Sequence, residues 1–188
     1  MSNGKWGTYT EKLTANGSID NDTLKYRKQY LFKILREKGM SDGAIAGIIG
    51  NLEGEGLGRA ADWSHSYPDP PGSSKRSMGI AAFNSGGELP RLKDWANKNG
   101  LDFNKFETQA QYIANHNVIN KILKETQGLS PEEALKKSAI IWGHDFEVFQ
   151  GYNAADSHGN LIGKGYAWFP KEQVIEAVQG LSQTGIAR

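Results

Sequence analysis

The chain contains no cysteine among its 188 residues. Disulfide bonds, thiolate nucleophiles and cysteine-ligated zinc sites are therefore excluded. Long apolar runs are also absent, since no stretch approaches the roughly 18 residues that a membrane-spanning helix needs. The N-terminus reads MSNGKWGTYTEKL and lacks the apolar core of a signal peptide. We therefore expect no stable membrane insertion, and delivery by another route if the protein works outside the cytoplasm.

An excess of charge of either sign is lacking as well. The formal net charge is +1, from 22 basic and 21 acidic residues. Such a chain has no overall field to attract nucleic acid or an anionic membrane. The four histidines are His65, His116, His144 and His158, and none lies in a metal-binding pair such as H-E-x-x-H. We therefore expect no nucleic-acid partner, no metal and no organic cofactor.

The composition is that of a folded globular protein. Hydrophobic residues make up 38% of the chain and aromatic residues 10%, which is enough for a core at this length. Residues 1–23 are polar and predict an N-terminal arm or attachment segment. The rest of the chain, residues 24–188, is predicted to form one domain, since no repeat or linker divides it.

Helical spacing dominates the predicted domain. Apolar residues recur at helical intervals in LKYRKQYLFKILREKG, and Gly39 is placed to end that helix. They recur again in GAIAGIIGNLEGE, a segment that Ser41 or Asp42 can cap. Isoleucines and a leucine fall on one face of this second helix, which indicates that it is buried against the core.

Two further features complete the predicted architecture. Ser130 and Glu133 form a capping box at the start of another helix, and a last helix is predicted after Pro170. Residues 54–87 are rich in glycine, serine and proline, so they are too broken for a long helix. We therefore predict a mainly α, α+β fold: a helical bundle around a buried central helix, with one loop or small β insertion that forms a cleft.

Two glutamates, Glu53 and Glu55, end the second predicted helix in the stretch GIIGNLEGEGLG. An enzyme that cleaves an acetal needs a carboxylic acid that is protonated near neutral pH, whereas an ordinary glutamate titrates near about 4.3. The C-terminal end of a buried helix raises the pKa of an acid through its dipole and its low dielectric. Periodicity does not choose between the two acids. Both could equally be solvated acids at a fraying helix end.

Four segments of the chain resemble, in the same order, those of a known family. They are AIAGIIGNLEGEG, SMGIAAFN (Ser77–Asn84), FETQAQYIANH (Phe106–His116) and SPEEALKKSAIIWGHDFEVF. Together they are similar to segments of the phage tail lysozyme family, over about Leu31 to Tyr152. The resemblance implies a lysozyme-like fold and cleavage of peptidoglycan.

The resemblance also implies roles for particular residues. The family's catalytic glutamate falls on Glu55, whereas Glu53 occupies a variable position. The implied substrate-binding residues are Ser77, Gly79, Ile80, Phe83, Asn84 and Glu147. The backbone of Gly79 and Ile80 would lie near the sugar rings, and Phe83 would line the cleft or pack against it. For Glu147, a structural role that anchors its helix is the favoured interpretation.

A second carboxylate is expected in the loop after Glu55. Asp69 lies in YPDPP, where prolines could hold it in place, and Asp62 is the alternative. Either could also be a plain turn aspartate. If neither reaches the cleft, a lytic transglycosylase mechanism with one acid becomes attractive, in which the 6-hydroxyl of the substrate attacks.

Three positions depart from the family pattern. Gly56 stands where the family usually has a serine after the catalytic glutamate. Met78 replaces a tyrosine, and Ala82 replaces a glutamine that the resemblance implies as a sugar contact. Because of these departures the resemblance does not specify the sugar contacts in detail, and weak or lost activity stays open as an alternative.

The resulting hypothesis is a muramidase that cleaves the β-1,4 bond between N-acetylmuramic acid and N-acetylglucosamine in bacterial peptidoglycan. A phage tail or another injection machine would deliver it to the cell wall in the periplasm, and the arm 1–23 would contact proteins of that machine. Two alternatives stay open: a non-catalytic structural or glycan-binding tail component, and an injected antibacterial toxin with the same chemistry.

Overall fold

A computed structural model describes residues 10–14 and 18–147. Within them the helices are α1 (Asn21–Glu37), α2 (Asp42–Glu55), α3 (Glu88–Lys98), α4 (Phe106–Asn115), α5 (Asn117–Thr126) and α6 (Pro131–Asp145). The strands are β1 (Tyr67–Pro68), β2 (Arg76–Met78) and β3 (Phe83–Asn84), and a 3-10 helix spans Trp63–His65. The helix that the sequence predicts after Pro170 lies outside the described residues.

The three short strands form a single antiparallel sheet between α2 and α3, in the order β1-β2-β3. Tyr67 pairs with Ser77, and Met78 pairs with Phe83. The prediction of a mainly α fold with one small β insertion is therefore confirmed. None of the helices in the described ranges is long and apolar enough to cross a membrane.

Local signals at the helix ends have the predicted geometry. Gly39 follows α1 with φ +90°, a conformation that glycine adopts without strain. Ser41, rather than Asp42, caps α2, since its side chain accepts the Ala44 N–H. At α6 the capping box is complete: the Ser130 N–H donates to the Glu133 carboxylate at 3.0 Å, and the Glu133 N–H donates to Ser130 Oγ at 3.4 Å.

Helix α2 is the central helix of the fold. Ile45, Ile48 and Leu52 on one side of it are fully buried. Its glycines allow α6 to approach on the other side: a Cβ on Gly47 would lie 2.1 Å from Ser138 Oγ and 2.5 Å from a backbone oxygen of α6. Because both sides are packed, the C-terminal end of α2 is held in a fixed place.

The residues just before α1 pack on the same domain. Leu13 and Ile19 form an antiparallel bridge, and the Ile19 N–H donates to the Gly58 carbonyl at 3.1 Å. The described part of the arm 1–23 therefore contacts the segment that follows α2. The role of the arm as an attachment segment, and the boundary assigned to it, stay predictions.

Candidate active site

Glu55 is the last residue of α2 and is half-buried. The helix ends there because Gly56 adopts an extended φ of −165°, while its N–H still donates to the Leu52 carbonyl at 2.9 Å. Burial raises the pKa of Glu55, and the Asp69 carboxylate raises it further. The positive charge of Arg59 opposes both effects. Glu55 therefore retains its proton to a higher pH than an ordinary glutamate, as a general acid requires.

Glu53 has a different environment, although it is only two residues away. Its side chain is exposed and forms an ion pair with Lys28 of α1. Such an ion pair at the surface is a common contact that contributes little to stability. The two acids that periodicity left undecided are thus separated by their surroundings, and only Glu55 has those of a general acid.

Asp69 follows β1 and is held at three of its atoms. Its carboxylate accepts the Ser77 hydroxyl at 2.6 Å. Its N–H donates to the Lys75 carbonyl at 3.0 Å, and its own carbonyl accepts the side-chain amide of Asn84 at 3.3 Å. The sheet therefore fixes a second carboxylate in electrostatic contact with Glu55.

Asp62, the alternative second carboxylate, is engaged within its own turn. Its side chain caps the 3-10 helix by accepting the Ser64 N–H at 3.0 Å, and it lies 2.9 Å from His65 Nδ1. Burial raises the pKa of Asp62, but hydrogen bonds from Ser64 and His65 outweigh that effect and lower it. The charge of Asp69, and not that of Asp62, contributes to the raised pKa of Glu55.

Further groups surround the two acids. The indole N–H of Trp142 donates to Glu147 Oε1 at 2.9 Å. Burial raises the pKa of Glu147 to about 8, with a further contribution from the charge of Glu55. The guanidinium of Arg59 stacks on the ring of Tyr67, with 4.2 Å between Cζ and the ring centroid. Burial raises the pKa of Tyr67, and Arg59 opposes this.

We refer to these electrostatically connected residues as the acid cluster: Glu55, Arg59, Tyr67, Asp69 and Glu147. Three of the five, Glu55, Asp69 and Glu147, are among the residues that the sequence singles out. Among the described residues, including those of the acid cluster, no group of three or more His, Cys, Asp or Glu side chains is placed to hold a metal ion.

Arg59 and Tyr67 were not predicted from the sequence. One available signal is position, since Arg59 is the only lysine or arginine between Glu55 and Lys75. A cation that follows an acid so closely is a candidate to tune its pKa. No comparable signal exists for Tyr67, because its place depends on how the loop folds back.

The residues predicted to bind sugar near the sheet are Ser77, Gly79, Ile80, Phe83 and Asn84. Phe83 is only 1% exposed, and its ring packs edge-on against Tyr112 in the core. The Ile80 side chain is also fully buried. Asn84 is half-buried and donates to Ser77 Oγ at 3.1 Å. Ser77 and Asn84 hold Asp69 through hydrogen bonds, and contact of these five residues with sugar stays a prediction.

Gln109 of α4 is a buried polar residue to which the sequence assigned no role. Its Oε1 accepts the Ile80 N–H at 3.1 Å. Its Nε2 donates to the carbonyls of Ala61 and Phe103 at 2.7 and 2.9 Å. A fully buried amide needs such partners, and here they tie three loops around the site together. The available signal was a polar residue among the apolar positions of a predicted helix.

Gly56, the first departure from the family pattern, is explained by a close backbone contact. A Cβ at this position would lie 2.1 Å from the carbonyl oxygen of Gly79. Gly79 in turn has φ +72°, and a Cβ on it would lie 2.3 Å from Gln109 Oε1. The two glycines therefore let the sheet approach the end of α2 closely, and a serine at residue 56 does not fit.

We therefore expect Gly56→Ser, which restores the family residue, to lower both thermal stability and wall-clearing activity. The new Cβ collides with backbone, which must move, and the shift displaces the sheet from Glu55. Circular dichroism melting and a turbidity assay on purified cell walls measure the two effects. Gly58→Ser is the matched control, since a Cβ there meets no atom within 4 Å. Equal behaviour of the two variants would contradict this explanation.

A second prediction concerns the charge on Asp69. In Asp69→Asn the negative charge beside Glu55 is lost, so the carboxylate form of Glu55 is less disfavoured and its pKa falls. Glu55 then loses its proton at a lower pH. Carbon-13 NMR titration of the glutamate carboxyls should show this midpoint moving down, with the resonance assigned from Glu55→Gln. Asp62→Asn should leave that midpoint in place, and the reverse pattern would favour Asp62 as the neighbour of Glu55.

These features define a class of protein. A half-buried acid ends a central helix, and a second carboxylate, held by a small antiparallel sheet, acts on it electrostatically. Glycoside hydrolases generally use such a pair of carboxyl groups. The family model described as phage tail lysozyme matches residues 26–167, and the chain belongs to this family. It is therefore a lysozyme-like lytic domain that acts on peptidoglycan. No curated protein sequence matches the chain.

Proposed function

We propose that the protein is a muramidase in which Glu55 is the general acid. Glu55 protonates the oxygen of the β-1,4 bond between N-acetylmuramic acid and N-acetylglucosamine, and the bond from that oxygen to the muramic acid C1 then breaks. The observation that carries the proposal is the environment of Glu55. This acid is half-buried at a helix end and has a raised pKa, whereas its neighbour Glu53 is paired at the surface.

Asp69 supplies the second carboxylate in this proposal. Its hydrogen bond from the Ser77 hydroxyl fixes the orientation of the group. A carboxylate in this place activates the attacking water or stabilises the positive charge that develops on the sugar ring. Because Asp69 acts electrostatically on Glu55, the hydrolytic mechanism is favoured over the single-acid transglycosylase mechanism.

The protonation states of the cluster fit this assignment. With a pKa of about 8, Glu147 is mostly neutral at pH 7. The charges that then remain near Glu55 are the carboxylate of Asp69 and the guanidinium of Arg59. A neutral Glu147 adds no second negative charge to the site, and its Oε1 accepts the hydrogen bond of the Trp142 indole N–H. We assign it the role of a support at the end of α6.

We also propose that the domain is carried in a phage tail and opens the cell wall during entry. The support is the family to which the chain belongs. Attachment through the arm 1–23 is part of this proposal. A glycan-binding tail component without turnover is the alternative that the following experiment excludes or establishes.

Mass spectrometry of the products from purified peptidoglycan tests the proposed reaction. A muramidase releases fragments that end in reducing N-acetylmuramic acid. Fragments that end in 1,6-anhydro-N-acetylmuramic acid would instead establish a transglycosylase. Binding to insoluble peptidoglycan without any released fragment would establish a non-catalytic component.

A further inference from the structure

A fully buried arginine in α1 reaches the loop that follows Glu55. Arg27 is 0% exposed and lies far from either end of its helix. Its Nη1 donates to the carbonyls of Leu57 and Arg59, both at 2.7 Å. Its guanidinium also lies over the ring of Phe106, 5.1 Å from the centroid. One planar side chain thus holds two backbone oxygens of the same short loop.

The N-terminal segment completes this contact. The carboxylate of Glu11 accepts hydrogen bonds from Arg27 Nε at 2.9 Å and Nη2 at 2.5 Å. Ser18 forms a backbone bridge with Arg59, and the Ile19 N–H donates to the Gly58 carbonyl. The buried charge of Arg27 is therefore neutralised, as a buried guanidinium requires. The loop 57–59 is enclosed by α1 on one side and by the N-terminal segment on the other.

We propose that Arg27 is a positioning residue that fixes the loop 57–59 and thereby keeps Arg59 beside Glu55. The proposal rests on the assignment of Glu55 as the general acid. Arg59 stacks on Tyr67, but its own side chain is exposed. Its place near the acid therefore depends on where the backbone of the loop is held. An arginine suits this task because its fork bonds several oxygens in one plane, whereas a lysine ammonium is a single point charge.

The expected consequence is a change in the titration of Glu55. Arg59 opposes the raised pKa of Glu55, so a loosened loop weakens this opposition and the pKa rises further. Arg27→Lys keeps the charge but loses the planar fork, and Arg27→Gln loses both. The midpoint of Glu55 in carbon-13 NMR titration should move upward in each variant. The Ile19 amide should also exchange with solvent faster, by about tenfold or more, since a charge-assisted hydrogen-bond set is weakened.

Two controls separate positioning from a general effect. Arg36 lies on the same helix with an exposed side chain, so Arg36→Lys and Arg36→Gln should leave the Glu55 midpoint unchanged. In the Arg59→Gln background, the Arg27 variants should no longer raise it, because the group through which Arg27 acts has been removed. If Arg27→Gln does not fold, Arg27→Lys decides the question alone.

The proposal is overturned if the Glu55 midpoint stays in place or falls in the folded Arg27 variants. It is also overturned if the midpoint rises equally with and without Arg59. Because the titration is read directly, it decides the role of Arg27 even if the wild-type protein releases nothing from peptidoglycan, a result that would refute the proposed muramidase alone. Where the wild type is active, the alkaline limit of wall clearing should move to higher pH in the Arg27 variants.

Discussion

Glu55→Gln is expected to lower the rate of wall clearing by a factor of about 10² to 10⁴, the usual contribution of a positioned general acid. Glutamine has nearly the same shape as glutamate but carries no proton that it can transfer. A turbidity assay on purified cell walls measures the rate, and circular dichroism verifies that the fold is unchanged.

The same variant should not lose stability at neutral pH. The pKa of Glu55 is raised in the folded state, so folding becomes less favourable as the pH rises from the unfolded to the folded pKa of this group. A neutral glutamine removes that loss. We therefore expect the free energy of unfolding of Glu55→Gln at pH 7 to equal or exceed that of the wild type, measured by urea denaturation.

Glu53→Gln is the matched control for this prediction. The same chemical change two residues earlier removes only a surface ion pair with Lys28, so activity should persist. Loss of clearing in Glu53→Gln together with normal clearing in Glu55→Gln would reverse the assignment of the acid. Normal clearing in both variants would remove this pair of acids from the mechanism.

The largest effect on stability is expected from Gly47→Ala in the middle of α2. The added Cβ would lie 2.1 Å from Ser138 Oγ and 2.5 Å from the Leu135 carbonyl oxygen. The hydroxyl of Ser138 can rotate away, but the carbonyl belongs to the backbone of α6, so the two helices must separate. Overpacking of this kind costs about 1–3 kcal/mol, which lowers the melting temperature by roughly 2–12 °C in a protein of this size.

Gly54→Ala, on the same helix, is expected to raise stability instead of lowering it. A Cβ on Gly54 meets no atom within 4 Å, so alanine contributes only its better helix propensity, about 0.5–1 kcal/mol. Thermal melts of the two variants should therefore move in opposite directions. If Gly47→Ala melts at or above the wild-type temperature, the close packing of α2 against α6 is wrong.

Features that depend on neighbouring residues were predictable from the sequence. The capping box of Ser130 and Glu133 involves atoms within a single helical turn, and it forms as predicted. The glycine face of α2 was not predictable in the same way. The function of Gly47 depends on Ser138, which is far away in sequence, and a glycine reads locally only as a weak helix former. Hydrophobic periodicity therefore predicts the buried apolar face of α2 but not the buried glycine face.

The same distinction between local and distant contacts applies to the candidate site. Periodicity could not separate Glu53 from Glu55, because the groups that distinguish them, Lys28 and Asp69, belong to other elements. The family resemblance supplied that choice. Arg27 was invisible for a different reason: its partners in the loop are backbone carbonyls, which any residue provides and which leave no trace in the sequence.

The packing of α2 against α6 also affects when the domain can complete its fold during translation. The ribosome completes α2 and its terminal Glu55 long before Pro131–Asp145 is synthesised. Until that later segment emerges, the glycine side of α2 has no surface to pack against. A nascent chain that stops before α6 therefore contains Glu55 at the end of a helix that is packed on one side only, so α2 reaches its final packing only after Asp145 has been synthesised.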